Sequence, residues 1–142
     1  AAHSGYNSLN ASDYTQGQMP IVTTTLEDVL AGMTPRLIKL DIEGAELDAL
    51  KGAQEALSGK DKPYIVSELN QDALVRFGYS RDDLRAFMKF MGYDMFILQR
   101  DGVFPLLVPE NVKINCNIEN LNVLFSTPRQ VGLAWPELDL NG

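Results

Sequence analysis

Apolar and polar positions fall along this chain in blocks whose period switches between that of a helix and that of a strand. Ile21-Val22-Thr23 reads as a short extended segment. Thr25 then stands in a cap position, Glu27 and Asp28 fill the first turn, and Leu26, Val29 and Leu30 form an apolar face, so a short helix is expected until Gly32 and Pro35 stop it. The stretch Arg36–Asp41, with Leu37, Ile38 and Leu40 leading into a carboxylate, predicts a buried strand. From Ala45 to Leu57 the residues Leu47, Leu50 and Leu57, widened by Ala53, share one helical stripe, with Lys51 and Glu55 spaced to pair in solvent. After a turn over residues 58–63, Tyr64–Leu69 is a second strand, followed by an irregular or weakly helical stretch.

Ser80 with Asp83 makes a capping box, and Leu84, Phe87, Met88 and Met91 fall at i, i+3, i+4 and i+7, the spacing of a core-facing helix that Gly92 ends. Asp94–Gln99 is a third strand, with a turn at Arg100-Asp101-Gly102, and Asn122–Ser126 is a fourth, closing before Pro128. Strands alternating with helices predict an α/β layered sheet, largely parallel through its first half. Beyond residue 101 the helical signal disappears, so the last strands are expected to form an antiparallel edge. Residues 1–19 read as a loop, 20–127 as the α/β core and 128–142 as a tail that packs on the sheet edge or hangs loose.

Composition narrows the class. With 142 residues, 45% of them hydrophobic, the chain can bury the core of one domain. A net charge of −7 without a basic stripe argues against a nucleic-acid partner. One cysteine, Cys116, rules out an internal disulfide and fits a reducing compartment. With no membrane-length apolar run and no signal-peptide pattern, the expectation is a cytoplasmic protein without a membrane partner. Asn10-Ala11-Ser12 matches a glycosylation sequon, a pattern short enough to arise by chance.

The chemistry concentrates in Leu37-Ile38-Lys39-Leu40-Asp41-Ile42-Glu43-Gly44-Ala45-Glu46. An apolar strand there ends in a carboxylate, passes a glycine and opens a helix, and open α/β sheets place ligands at the carboxyl ends of their strands. Asp41 and Glu68 end two strands joined by a helix, and a right-handed crossover puts both on one rim of the sheet. Carboxylates converging there can act as a general base, bind a divalent metal or anchor hydroxyls. Plain alternatives stand beside each: a helix cap for Asp41, a helix-dipole acid for Glu46, a solvated strand end for Glu68, a tight turn for Gly44. His3 lies in the opening loop without a partner, Cys116 has only Lys113 as a basic neighbour, and the asparagines 111, 115, 117, 120 and 122 read as turn and edge residues. No GxSxG, Walker or GxGxxG motif occurs, which removes most serine-hydrolase and nucleotide readings.

These residues resemble the FkbM-type methyltransferases. The likeness runs through Thr25-Leu26-Glu27-Asp28-Val29-Leu30, is strongest from Leu37 to Glu46, and continues through Leu47–Ala53 and Tyr64–Leu69. Asn7-Ser8-Leu9 and Asn122-Val123-Leu124-Phe125 are also similar. The resemblance implies a Rossmann-like, seven-stranded methyltransferase sheet that binds S-adenosylmethionine and methylates a hydroxyl of a small molecule or glycan. It places Asp41 at the end of the fourth strand and Glu68 at the end of the fifth, with Asp41 and Glu68 in catalysis and Asp41, Glu43 and Gly44 toward the cofactor. The family's glycine-rich donor loop and the acid after its second strand have no counterpart here, so the expectation is a carboxyl-terminal half of the domain that binds the donor weakly and associates as a homodimer. Two alternatives remain open: a non-catalytic, self-associating α/β fragment, and a magnesium-dependent enzyme using Asp41 and Glu68.

Overall fold

The computed structural model of the chain describes residues 22–99, 104–114 and 120–137. The opening loop with His3, Asn7-Ser8-Leu9 and the sequon, the turn at 100–102, and Cys116 with its flanking asparagines lie outside the described residues. The elements run α1 (Leu26–Leu30), β1 (Leu37–Leu40), α2 (Glu46–Lys51), α3 (Gln54–Ser58), β2 (Tyr64–Asn70), α4 (Gln71–Arg76), α5 (Arg81–Phe90), β3 (Asp94–Ile97), β4 (Leu106–Leu107), β5 (Asn120–Ser126) and α6 (Pro128–Ala134).

The strands form one five-stranded sheet in the order β1-β2-β5-β3-β4. β1 and β2 are parallel, joined by the α2–α3 crossover, and their register runs from Leu37 opposite Tyr64 to Leu40 opposite Ser67. Every other pairing is antiparallel, β5 with both β2 and β3, and β4 with β3. This corrects the expectation of a largely parallel first half edged by the last strands. The strand at 120–126 lies inside the sheet, and the two-residue β4 is the antiparallel edge. Its side chains match that place: Leu121, Val123, Leu124 and Phe125 are all buried, so both faces of β5 are covered while β2 and β3 pair with its two sides.

One sheet face carries Ile38, Leu40, Ile65, Leu69, Val123 and Phe125 against Leu47 and Leu50 of α2 and Leu84 and Met88 of α5. Each of these side chains contributes about 1.5–3 kcal/mol on full burial. The other face packs Phe96 and Leu124 on Val131 of α6, with Tyr64, Val66 and Trp135 around them. The Leu84-Phe87-Met88-Met91 stripe belongs to the first core, as its spacing predicts.

Three local outcomes differ from the sequence pattern. The helix expected over 45–57 is two short helices broken at Gly52-Ala53, because the Gly52 carbonyl accepts the Glu27 N–H (2.8 Å) and so docks α1 onto the break. Lys51 accordingly donates to the Tyr79 hydroxyl (3.1 Å) instead of pairing with Glu55. The stretch after β2 is helical, since the Asn70 side chain accepts from the Ala73 N–H (3.0 Å) and caps α4. The segment read as a tail opens with α6, whose Thr127–Gln130 capping box and Pro128 in the first turn are a helix start the sequence carried in full view.

Candidate functional site

β1 delivers its last buried residue, Leu40, opposite Ser67, so one further step sets Asp41 beside Glu68 at the carboxyl ends of two parallel strands. The chain then reverses through a turn with two consecutive positive φ angles, Glu43 at 54° and Gly44 at 106°. A non-glycine residue held in that region costs on the order of 1–3 kcal/mol, and such strain gathers at functional sites. Gly44 is required by packing as well as by φ. A Cβ there would overlap the Ala73 carbonyl of α4 and reach the Phe77 ring at 3.0 Å. The space at Gly44 is therefore filled by the protein's own helix.

Asp41 is exposed and accepts a hydrogen bond from Lys39 Nζ at 2.7 Å. In so exposed a pair the attraction adds at most about 1 kcal/mol to stability. Its relevance is chemical: the ammonium holds the carboxylate in place and competes for the lone pairs that a base needs. Glu43 is partly buried, and its carboxyl is raised above the ordinary glutamate range first by burial, then by the charges of Asp41, Glu68 and Glu46, with Arg76 pulling the other way. Glu43 thus feels three other carboxylates across this rim. The sequence-predicted residues Asp41, Glu43 and Glu68 are brought together, and Gly44 is brought against α4.

Glu46 departs from the helix-dipole acid it resembles in sequence. It is 2% exposed, and its Oε1 accepts from the N–H groups of Ile42 (3.2 Å) and Gly44 (3.3 Å). Its Oε2 is buried with no partner. Asp41 does not cap α2; the N-cap is Ala45, which makes no side-chain bond. On the covered face Ser67 Oγ is likewise buried without a partner. Arg81, 2% exposed, donates from Nε (3.1 Å) and Nη2 (2.8 Å) to the Leu69 carbonyl and so fixes the end of β2 just past Glu68.

Asn122 was read as an edge residue; it lies opposite Glu68 on the interior strand β5, with its side chain exposed. Lys39, Glu46 and Asn122 are the neighbours that the sequence reading missed. The i, i+2 spacing of Lys39 and Asp41 on a strand was the available signal for the first, whereas burial of Glu46 had none. Among the described residues no group of three or more His, Cys, Asp or Glu side chains is arranged to hold a metal ion. No described helix is long and apolar enough to cross a membrane.

Open α/β sheets bind their ligands outside the carboxyl ends of the strands, which is where these carboxylates lie. The family model described as methyltransferase FkbM domain matches residues 2–95, a span that includes β1, the turn and β2, and the chain belongs to that methyltransferase family. β5 and Asn122 lie beyond the matched span. Comparisons with curated proteins and with solved structures found no match.

Proposed function

We propose that this chain carries the acceptor side of an S-adenosylmethionine-dependent methyltransferase acting on a hydroxyl of a small molecule or sugar. The observation that carries the reading is the β1–β2 register, which sets Asp41 beside Glu68 in the part of the chain matched by the family model. The common direction of β1, β2 and β3, with β5 inserted antiparallel between β2 and β3, supports a Rossmann-like sheet. S-adenosylmethionine, when bound, supplies an electrophilic methyl group on a sulfonium.

The residues of this chain do the rest. A hydroxyl is a weak nucleophile, and Asp41, exposed at the rim, accepts its proton as general base, a contribution of about 10²–10⁴-fold. Glu68 accepts a second hydrogen bond and orients the acceptor. Asp41 and Glu43 fit the hydroxyl and ammonium donors of the methyl donor as acceptors, and Gly44, with no side chain of its own, lets the backbone between them approach it. Transfer of labelled methyl from S-adenosylmethionine to a panel of hydroxylated acceptors, with and without Asp41→Asn, tests the reading. A panel that stays unlabelled with a chain that binds the donor would refute it.

A second reading has its own observation. The outer edge of β1 has no strand partner among the described residues, and Leu37 there is 56% exposed. Unpaired edges invite pairing with a second chain. In that reading the chain is a non-catalytic, self-associating α/β unit, and sedimentation at several concentrations separates it from a monomer that turns over substrate.

A further inference from the structure

Buried carboxylates need a reason, and Glu46 has one that the helix dipole does not supply. A helix-start acid gains its interaction with the dipole while standing in water, without losing hydration. Glu46 instead turns under the preceding loop, with one oxygen on two backbone N–H groups and the other in contact with no donor at all. Nothing else ties the turn from the α2 side, since Ala45 caps the helix without a side-chain bond and its own N–H reaches Ile42 O at only 3.4 Å. The far side of the turn is fixed by Gly44 seated on the Ala73 carbonyl.

We propose that Glu46 is the positioning residue of this rim: its carboxylate holds the N–H groups of Ile42 and Gly44 together, keeps Glu43 in its left-handed conformation, and thereby sets where Asp41 and Glu43 point. The inference rests on the methyltransferase reading for what the turn serves, and on geometry alone for what Glu46 does to it. Glu46 works through the turn and touches no substrate.

Two variants divide the role. Glu46→Gln keeps an oxygen for the two N–H groups but removes the charge, and Glu46→Ala removes both. Amide hydrogen exchange followed by NMR is expected to show that Ile42 and Gly44 lose protection by about tenfold or more in Glu46→Ala. Protection at Leu69 should hold, and Glu46→Gln should restore the two turn amides. In Glu46→Gln the Glu43 carboxyl should titrate below its wild-type position, because Asp41 and Glu68 remain as repelling neighbours, Arg76 remains as an attracting one, and the Glu46 charge is gone. Protection unchanged in Glu46→Ala overturns the proposal. Should that variant fail to fold, Glu46→Gln decides alone: turn amides left unprotected, or a Glu43 titration that does not move, overturns it. Methyl transfer undiminished in a Glu46→Ala protein that has lost turn protection would count against placing the site at this turn, and would leave the role of Glu46 in the turn standing.

Discussion

The acidic turn at 41–46 and the mostly apolar strap at 104–114 are both laid against helices, and they treat the charges around them in opposite ways. In the strap, Arg85 of α5 donates to the carbonyls of Val108 (2.9 Å), Pro109 (2.5 Å) and Val112 (2.6 Å), and Lys89 pairs with Asp94 (2.7 Å) and Glu110 (2.5 Å). A cavity of about 360 Å³ opens beside this clamp, lined in part by Arg85, Lys89, Tyr93, Val108 and Val112. In the turn, four carboxylates are gathered with Lys39 and Arg76 as the nearby cations, Glu43 stands in a left-handed conformation and an oxygen of Glu46 is left over. None of the residues lining that cavity belongs to the turn. The strap spends its charges on cohesion, whereas the turn carries charge and strain that cohesion alone would remove.

The sharpest way to break this contrast is at Gly44. Gly44→Val combines a disfavoured φ with overlap on the Ala73 carbonyl and should cost about 3–5 kcal/mol, read from the midpoint of urea unfolding. A variant that unfolds with the wild-type midpoint would show that the turn is softer than its geometry. Next in size, Asp41→Asn should lower methyl transfer by about 10²-fold while stability stays within about 0.5 kcal/mol, as for an exposed group. Equal turnover at equal donor affinity would remove Asp41 from the chemistry. The corresponding lesion in the strap behaves the other way. Arg85→Ala should cost roughly 1.5–2 kcal/mol through three lost charge-assisted bonds, with transfer to small acceptors unchanged; kinetics and melting on one preparation decide it.

Acid should separate the two regions by the smallest effect. Glu43 is raised above its ordinary range, chiefly by burial and by neighbouring carboxylates, so its proton favours the folded state. That contribution is fully present below the unfolded pKa of about 4.3 and is lost as pH rises through the higher folded value. Glu110 is held low by its bond to Lys89, so its contribution is present above the unfolded value and lost as pH falls through the folded one. Carboxyl NMR titration should find Glu43 protonating before Glu110 as the pH is lowered. Glu43→Gln should raise the melting temperature slightly at neutral pH and not at pH 4. The reverse order of protonation would mean that the rim carboxylates are better solvated than their burial implies.

Much of this was legible because local physics decided it. The strand into Asp41, the capping box at Ser80 and the stripe from Leu84 to Met91 are short-range patterns that survive into the fold. That strand, expected to be buried, is nevertheless an edge strand of the described sheet with only alternate residues covered. The parallel pairing of the strands that end near Asp41 and Glu68 followed from the single crossover between them. Other features depended on partners distant in sequence. Whether 120–126 lay at an edge or in the interior was decided by the distant strands β2 and β3 that pair with its two sides, and the break at Gly52 by the Glu27 N–H that its carbonyl receives. Gly44 could be read as a turn from sequence, but only the approach of α4 made any side chain there impossible. Glu46 is the plainest case: in sequence it is an ordinary helix-start acid, and only the chain folding back over it, which removes it from water and hands it two backbone donors, turns it into the pin of the turn.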